Sequence, residues 1–323
     1  MIFLYFLLIL FFSFVLVKAT DILIINFKSL SARSKISKFA LTGLVLGLAT
    51  SLPELFVGLS SAFEGKTILS LGNIIGANIA NLSLVIGGAA LISGAVMVRG
   101  DFIRRDVFYA FLAATAPMVL LFDKTLSRID GLILLFLYIF YQIVIFSEKR
   151  YKQVGKNNQA SMTVRLIRKL NQQKVKRELA WILLGIILLL FSADILVRVS
   201  IQMALIFNFP LLLVGLLMVS LGTTLPELVF SIRALNNKQQ TMVFGNLLGS
   251  IVANGTLVIG LATLISPLTI QSLPNYLMAT MSFVLIFGIF YLFIKTKHRL
   301  DRWEGLLLFI IYILFIFTQI LKS

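Results

Sequence analysis

Two glutamates, Glu54 and Glu227, each stand directly after a proline in a segment otherwise nearly free of charge. A carboxylate held in a long apolar helix is costly unless something positive meets it, which makes it a functional candidate by default. Proline removes one backbone hydrogen bond and frees carbonyls about a turn earlier. Here those carbonyls belong to Gly47 to Thr50 and to Ser220 to Thr223, and the hydroxyls of Thr50, Ser51, Thr223 and Thr224 lie within a turn of the glutamates. Two further segments, GNIIGANIAN at 72–81 and GNLLGSIVAN at 245–254, bring Asn73, Asn81, Asn246 and Asn254. Together these groups would form a shell made only of oxygens. Hard cations such as Ca²⁺ and Na⁺ take such ligands, and two carboxylates neutralise one Ca²⁺. Without a cation the carboxylates would repel, so the site must be filled by something positive.

The elements that hold these residues are membrane helices. Of 323 residues, 59% are hydrophobic and 13% charged, too little polar surface for a water-soluble domain of this size. Runs such as 179–197 and 304–321 approach the ~20 helical residues that cross a hydrocarbon layer. A barrel would show polar residues at alternate positions, and these runs do not. The chain has no cysteine, which excludes disulfides and thiolate metal sites. His298 lies among Lys295, Lys297 and Arg299, without partners for a metal. The net charge of +16 is confined mostly to short loops, which argues against a nucleic-acid binder. Met1 to Val17 has no basic flank of the kind that opens a signal peptide and reads as a retained first helix.

Ten spans are expected, near 2–25, 39–63, 67–97, 106–122, 129–147, 179–201, 211–235, 241–267, 275–294 and 304–321. The third and eighth are long and rich in glycine, so they should bend. The connection 148–178 carries ten Lys or Arg and should lie in the cytoplasm. That placement puts 23 basic residues inside and only Lys66, Lys124, Arg128 and Lys322 outside. A wrong number of spans would scramble this asymmetry, and both ends of the chain should therefore lie outside.

Residues 47–87 and 220–260 match without a gap at an offset of 173, pairing Pro53 with Pro226, Glu54 with Glu227, Gly72 with Gly245 and Asn81 with Asn254. The same offset pairs Asp21 with Asp194. Apolar positions match by chance, whereas prolines, glutamates and asparagines do not. The organisation expected is a five-helix repeat at 1–147, a basic loop at 148–178 and a second repeat at 179–323, all in one membrane domain. Five is odd, so the copies must be inverted, as in secondary transporters that bind substrate between their repeats near the midplane. Glycines at these positions also have a plain packing role, and Asn73 and Asn246 could simply bond freed backbone. Lys18 and Arg198 are expected to form local ion pairs with Asp21 and Asp194.

The segments LATSLPEL…GNIIGANIAN and LGTTLPEL…GNLLGSIVAN resemble the two α-repeats of the sodium/calcium exchanger family, within the calcium/cation antiporter superfamily, and the ten-helix layout is similar to its prokaryotic type. The resemblance implies an all-α polytopic membrane protein that exchanges Ca²⁺ against Na⁺ by alternating access, without a cofactor and without enzymatic activity. The family's ion-binding glutamates fall on Glu54 and Glu227, and its asparagine or aspartate pair on Asn81 and Asn254. Its hydroxyl and carbonyl ligands fall on Gly47, Thr50, Ser51, Ser220, Thr223, Thr224 and Ser250. Two departures stand out: Ala77 replaces a serine common in the family, and Asn254 stands where prokaryotic members often have aspartate. The alternatives are a Ca²⁺/H⁺ or K⁺-linked exchanger and, more distantly, a gated cation channel. The implied partners are the ions and the lipid bilayer, with no nucleic acid, and the implied location is the plasma (inner) membrane of a prokaryote.

Overall fold

A computed structural model describes residues 2–33, 50–97, 102–153, 172–236, 240–270, 273–297 and 299–321. Gly47, the middle of the basic loop and His298 lie outside the described residues. The first half contains α1 Ile2–Arg33, α2 Leu52–Phe63, α3 Thr67–Ala80, α4 Ile86–Ser93, α5 Phe102–Leu120 and α6 Arg128–Gln153. The second half contains α7 Gln172–Phe207, α8 Leu211–Val214, α9 Ser220–Asn236, α10 Gln240–Val252, α11 Ile259–Ile265, α12 Leu273–Lys297 and α13 Arg302–Leu321. Every expected span holds helix, and the protein is an all-helical membrane protein. Among the described residues, six helices are long and apolar enough to cross a bilayer, and the bent pair 211–225 and 227–236 makes a seventh.

Several helices outrun the expected spans. α1 continues to Arg33, α6 to Gln153, and α7 starts at Gln172. Lys, Arg, Gln and Glu are good helix formers, so hydropathy marks where the lipid ends and not where the helix ends.

The bends expected in the third and eighth spans are π-helical turns. One, Asn81–Val85, joins α3 to α4, and another, Ala253–Val258, joins α10 to α11. A third, Gly215–Val219, joins α8 to α9. Such turns often mark functional positions, because the wider ring leaves backbone groups out of the regular ladder. Proline frees a carbonyl in the segment Ser220 to Thr223 without unwinding the backbone there. α9 stays helical there, and the chain instead bends by 41° between 211–225 and 227–236. A proline within a helix removes a single donor and commonly bends the helix without unwinding it.

The two halves interlock. β1 (Val96–Met97) pairs with β4 (Arg299–Leu300), and β2 (Thr125–Leu126) pairs with β3 (Leu268–Thr269), both antiparallel. Each ladder joins one loop from each half, and both partners are loops that the charge pattern assigns to the same side. Glycines allow matching close approaches. A Cβ on Gly87 of α4 would lie 2.7 Å from the Gly305 carbonyl of α13, and one on Gly131 of α6 would lie 2.9 Å from that of Gly260 in α11. The last helix of each half thus packs on the third span of the other. α1 and α7 pair along their length around Leu16, Ala19, Leu23, Leu189, Ala193 and Leu196, a core separate from the larger one.

Candidate functional site

α2 begins where its sequence says it should. Ser51 occupies the N-cap, Pro53 lies in the first turn and Glu54 follows it, where the helix dipole favours an anion. Ser-Leu-Pro-Glu has the spacing of a capping box, yet Ser51 makes no side-chain cap bond. Its hydroxyl donates instead to the Ser250 hydroxyl at 3.0 Å, across 199 residues of sequence. Ser250 in turn donates to Oε1 of Glu227 at 3.4 Å. A short chain of hydroxyls therefore ties the start of α2 to the carboxylate of the other half.

Two more cross-half bonds mirror one another. Thr50 donates to Oδ1 of Asn246 at 2.9 Å, and Thr223 donates to Oδ1 of Asn73 at 3.2 Å. Each asparagine therefore holds a threonine hydroxyl of the opposite repeat, and not freed backbone as the sequence suggested. Other hydroxyls turn to their own helix: Ser220 donates to the Leu216 carbonyl at 2.6 Å and Thr224 to the Ser220 carbonyl at 2.8 Å. Their oxygens keep lone pairs free to accept or to ligate.

Glu54, Glu227, Asn81, Asn254, Thr50, Ser51, Thr223, Thr224, Ser220 and Ser250 are all at most 2% exposed. Among the described residues, neither oxygen of Glu54 has a hydrogen-bond partner, nor do Oε2 of Glu227, either polar atom of the Asn81 amide, or Oδ1 of Asn254. Buried polar groups in folded proteins are nearly always paired, so this many orphans in matching motifs point to a ligand. With Nδ2 of Asn73 added, the orphans of Glu54, Glu227 and the four motif asparagines are five oxygens, Oε1 and Oε2 of Glu54, Oε2 of Glu227 and Oδ1 of Asn81 and Asn254, and two amide nitrogens, Nδ2 of Asn73 and Asn81. No group of three His, Cys, Asp or Glu occurs among the described residues, so two carboxylates and neutral oxygens form the whole donor set. Such a set suits a hard cation that must also leave.

Small residues bring the carrying helices together. A Cβ on Gly72 would lie 2.1 Å from the Leu212 carbonyl, on Gly76 2.2 Å from that of Leu216, and on Gly215 2.3 Å from that of Leu69. These glycines are contact residues between α3 and the seventh span, the packing role allowed for them above. A cleft of about 730 Å³ opens beside Gly65, Thr67, Asn208 and Leu268, and none of the candidate ligand residues lines it.

Three features escaped the reading of the sequence. Asn78 accepts from Nδ2 of Asn254 at 3.1 Å, but the repeat gave no sign of it, because its counterpart is Ile251. Arg198 pairs with Asp194 at 3.0 Å as expected, and also with Glu64 at 2.6 Å. Lys18 lies over the ring of Phe14 at 5.3 Å, and among the described residues no ion pair joins it to Asp21. A lysine one turn from a phenylalanine can settle on the ring face when the carboxylate points elsewhere.

The family model for sodium/calcium exchanger protein matches residues 4–147 and 177–321. Sodium/calcium exchanger MaX1 of Methanosarcina acetivorans is 26% identical, over 93% of this chain and 94% of its own. Inner membrane protein YrbG of Escherichia coli is 30% identical over 69% of this chain and 68% of its own. A solved structure of the sodium-calcium exchanger NCX_Mj, soaked with 10 mM Na⁺ and zero Ca²⁺, aligns over 96% of each chain with a TM-score of 0.60 and 26% identity.

Proposed function

The chain belongs to the sodium/calcium exchanger family, whose members are membrane transporters and not enzymes, and from that premise we propose that it exchanges Ca²⁺ for Na⁺ by alternating access. The observation that carries this reading is the buried pair Glu54 and Glu227, with three carboxylate oxygens and the amide oxygens of Asn81 and Asn254 left without partners among the described residues. Glu54, Glu227, Asn81 and Asn254 would be the principal ligands. Thr50, Ser51, Thr223, Thr224, Ser250, Ser220 and Gly47 would add neutral oxygens. Two negative charges match one Ca²⁺, and the same oxygens divided among Na⁺ ions satisfy the site in the other direction. An empty site leaves two buried charges facing each other, so the protein favours changing sides with an ion aboard.

Ion flux in proteoliposomes tests this, with Na⁺, K⁺ and pH gradients imposed one at a time. Ca²⁺ uptake should follow the Na⁺ gradient, and uptake driven only by K⁺ or pH would replace Na⁺ as the coupling ion. Glu54→Gln and Glu227→Gln should each abolish Ca²⁺ exchange in protein that still purifies folded. Glu64→Gln breaks only a partly exposed, solvent-screened ion pair and should leave exchange nearly intact. Near-normal Ca²⁺ exchange in either of the first two variants would remove the central claim.

A further inference from the structure

We propose that Asn78 is a positioning residue of the cation site, which fixes the Asn254 amide so that its oxygen, and not its nitrogen, faces the ion. This deepens the exchanger reading and rests on it. An amide presents an oxygen on one edge and an NH₂ on the other, and only the oxygen can ligate a cation. A group that holds the nitrogen of an asparagine ligand away from the ion therefore biases the amide toward ligation. A carboxylate has two equivalent oxygens and needs no such support.

The structure supplies the support on one side of the pseudo-twofold and not on the other. Nδ2 of Asn254 donates to Oδ1 of Asn78 at 3.1 Å, which leaves Oδ1 of Asn254 as a fully buried atom with no partner. Asn78 is itself 2% exposed, so water does not compete for the bond. The π-turn Ala253–Val258 brings Asn254 out of the regular helical ladder, and α3 carries Asn78 from the other half to meet it. Asn81, the counterpart of Asn254, has neither amide atom paired among the described residues, and the counterpart of Asn78 is Ile251. Asn254 also stands where a carboxylate would need no orientation. Asn78 thus makes a neutral residue serve as a directed oxygen ligand.

A double-mutant cycle in proteoliposomes tests the assignment. Asn78→Ala should raise the Ca²⁺ concentration for half-maximal exchange about five-fold, the effect of losing one oriented neutral ligand, with the maximal rate within about two-fold. Asn78→Leu, closer in volume, should do the same. With Asn254→Asp as the background, the same Asn78→Ala change should shift half-saturation by less than about two-fold, because orientation no longer matters. An equal loss in both backgrounds would make Asn78 a packing residue and overturn the proposal. So would failure of both Asn78 variants to yield folded protein in either background. If Glu54→Gln still abolishes exchange in that case, the exchanger reading survives while the role of Asn78 does not.

Discussion

Glu54 and Glu227 differ in what reaches them. Ser250 donates to Oε1 of Glu227, whereas at position 77, its counterpart, an alanine stands and, among the described residues, neither oxygen of Glu54 has a hydrogen-bond donor within normal distance. On the proposed reading, a Na⁺ ion bound near Glu54 would lack one neutral oxygen that its mirror position has. Restoring it with Ala77→Ser should lower the Na⁺ concentration for half-maximal Ca²⁺ efflux several-fold, about 1 kcal/mol, while Ca²⁺ affinity barely moves. Ca²⁺ depends chiefly on the two carboxylates. Na⁺ and Ca²⁺ dependence measured in the same vesicles decides the matter, and an unchanged Na⁺ dependence would make Ala77, which is fully buried, a packing residue. Residues with a copy in the other half were legible in the sequence for a simple reason: two occurrences of a costly residue at one spacing are not chance. Asn78 has no copy, and its role appears only once Asn254 lies against it.

At the scale of helices, the sequence showed where the third and eighth spans must deviate but not how. Glycine and asparagine content said that the ladder would be disturbed there. The choice of a π turn depends on what packs outside, because a bulge needs neighbours that accept the extra residue. The proline signal differs between the halves: helix is interrupted at Ser51 before Pro53, whereas the missing hydrogen bond at Pro226 bends α9 without unwinding it. Glycine positions are clearer once the neighbours are known. Gly215 lets α8 and its π turn approach the backbone of α3, and an added methyl would meet the Leu69 carbonyl at 2.3 Å and the Asn73 nitrogen at 2.8 Å. Rigid backbone atoms cannot step aside, so Gly215→Ala should destabilise by roughly 1–3 kcal/mol and disturb the Asn73–Thr223 bond. Gly288 of α12 is exposed with no atom near its missing Cβ, and Gly288→Ala should be neutral or gain up to about 1 kcal/mol from helix propensity. Thermal unfolding in detergent compares the two, and equal midpoints would refute the packing argument.

Across the whole molecule, charge and pairing agree on sidedness. The basic residues sort 23 to 4, and each two-stranded ladder joins loops that this sorting places on one side. The chain has no native cysteine, so single cysteines at Lys66 and Lys156 can report on sidedness cleanly. They should react with an impermeant thiol reagent from opposite sides of the membrane, and labelling from the same side would break the inverted arrangement. The glycine crossings carry a consequence for how such a chain can change over time. Gly87 corresponds to Gly260 at an offset of 173, and Gly131 to Gly305 at 174, so Gly87–Gly305 and Gly131–Gly260 are one contact made twice. Two identical five-helix chains related by a twofold would make that contact from a single gene, and every substitution would strike both copies at once. Fusion removes that coupling. In a single chain the two positions of a pair can differ, as alanine opposite Ser250 and isoleucine opposite Asn78 do. Ion preference can then be altered by a mutation in one half alone, with the partner half keeping the membrane architecture in register.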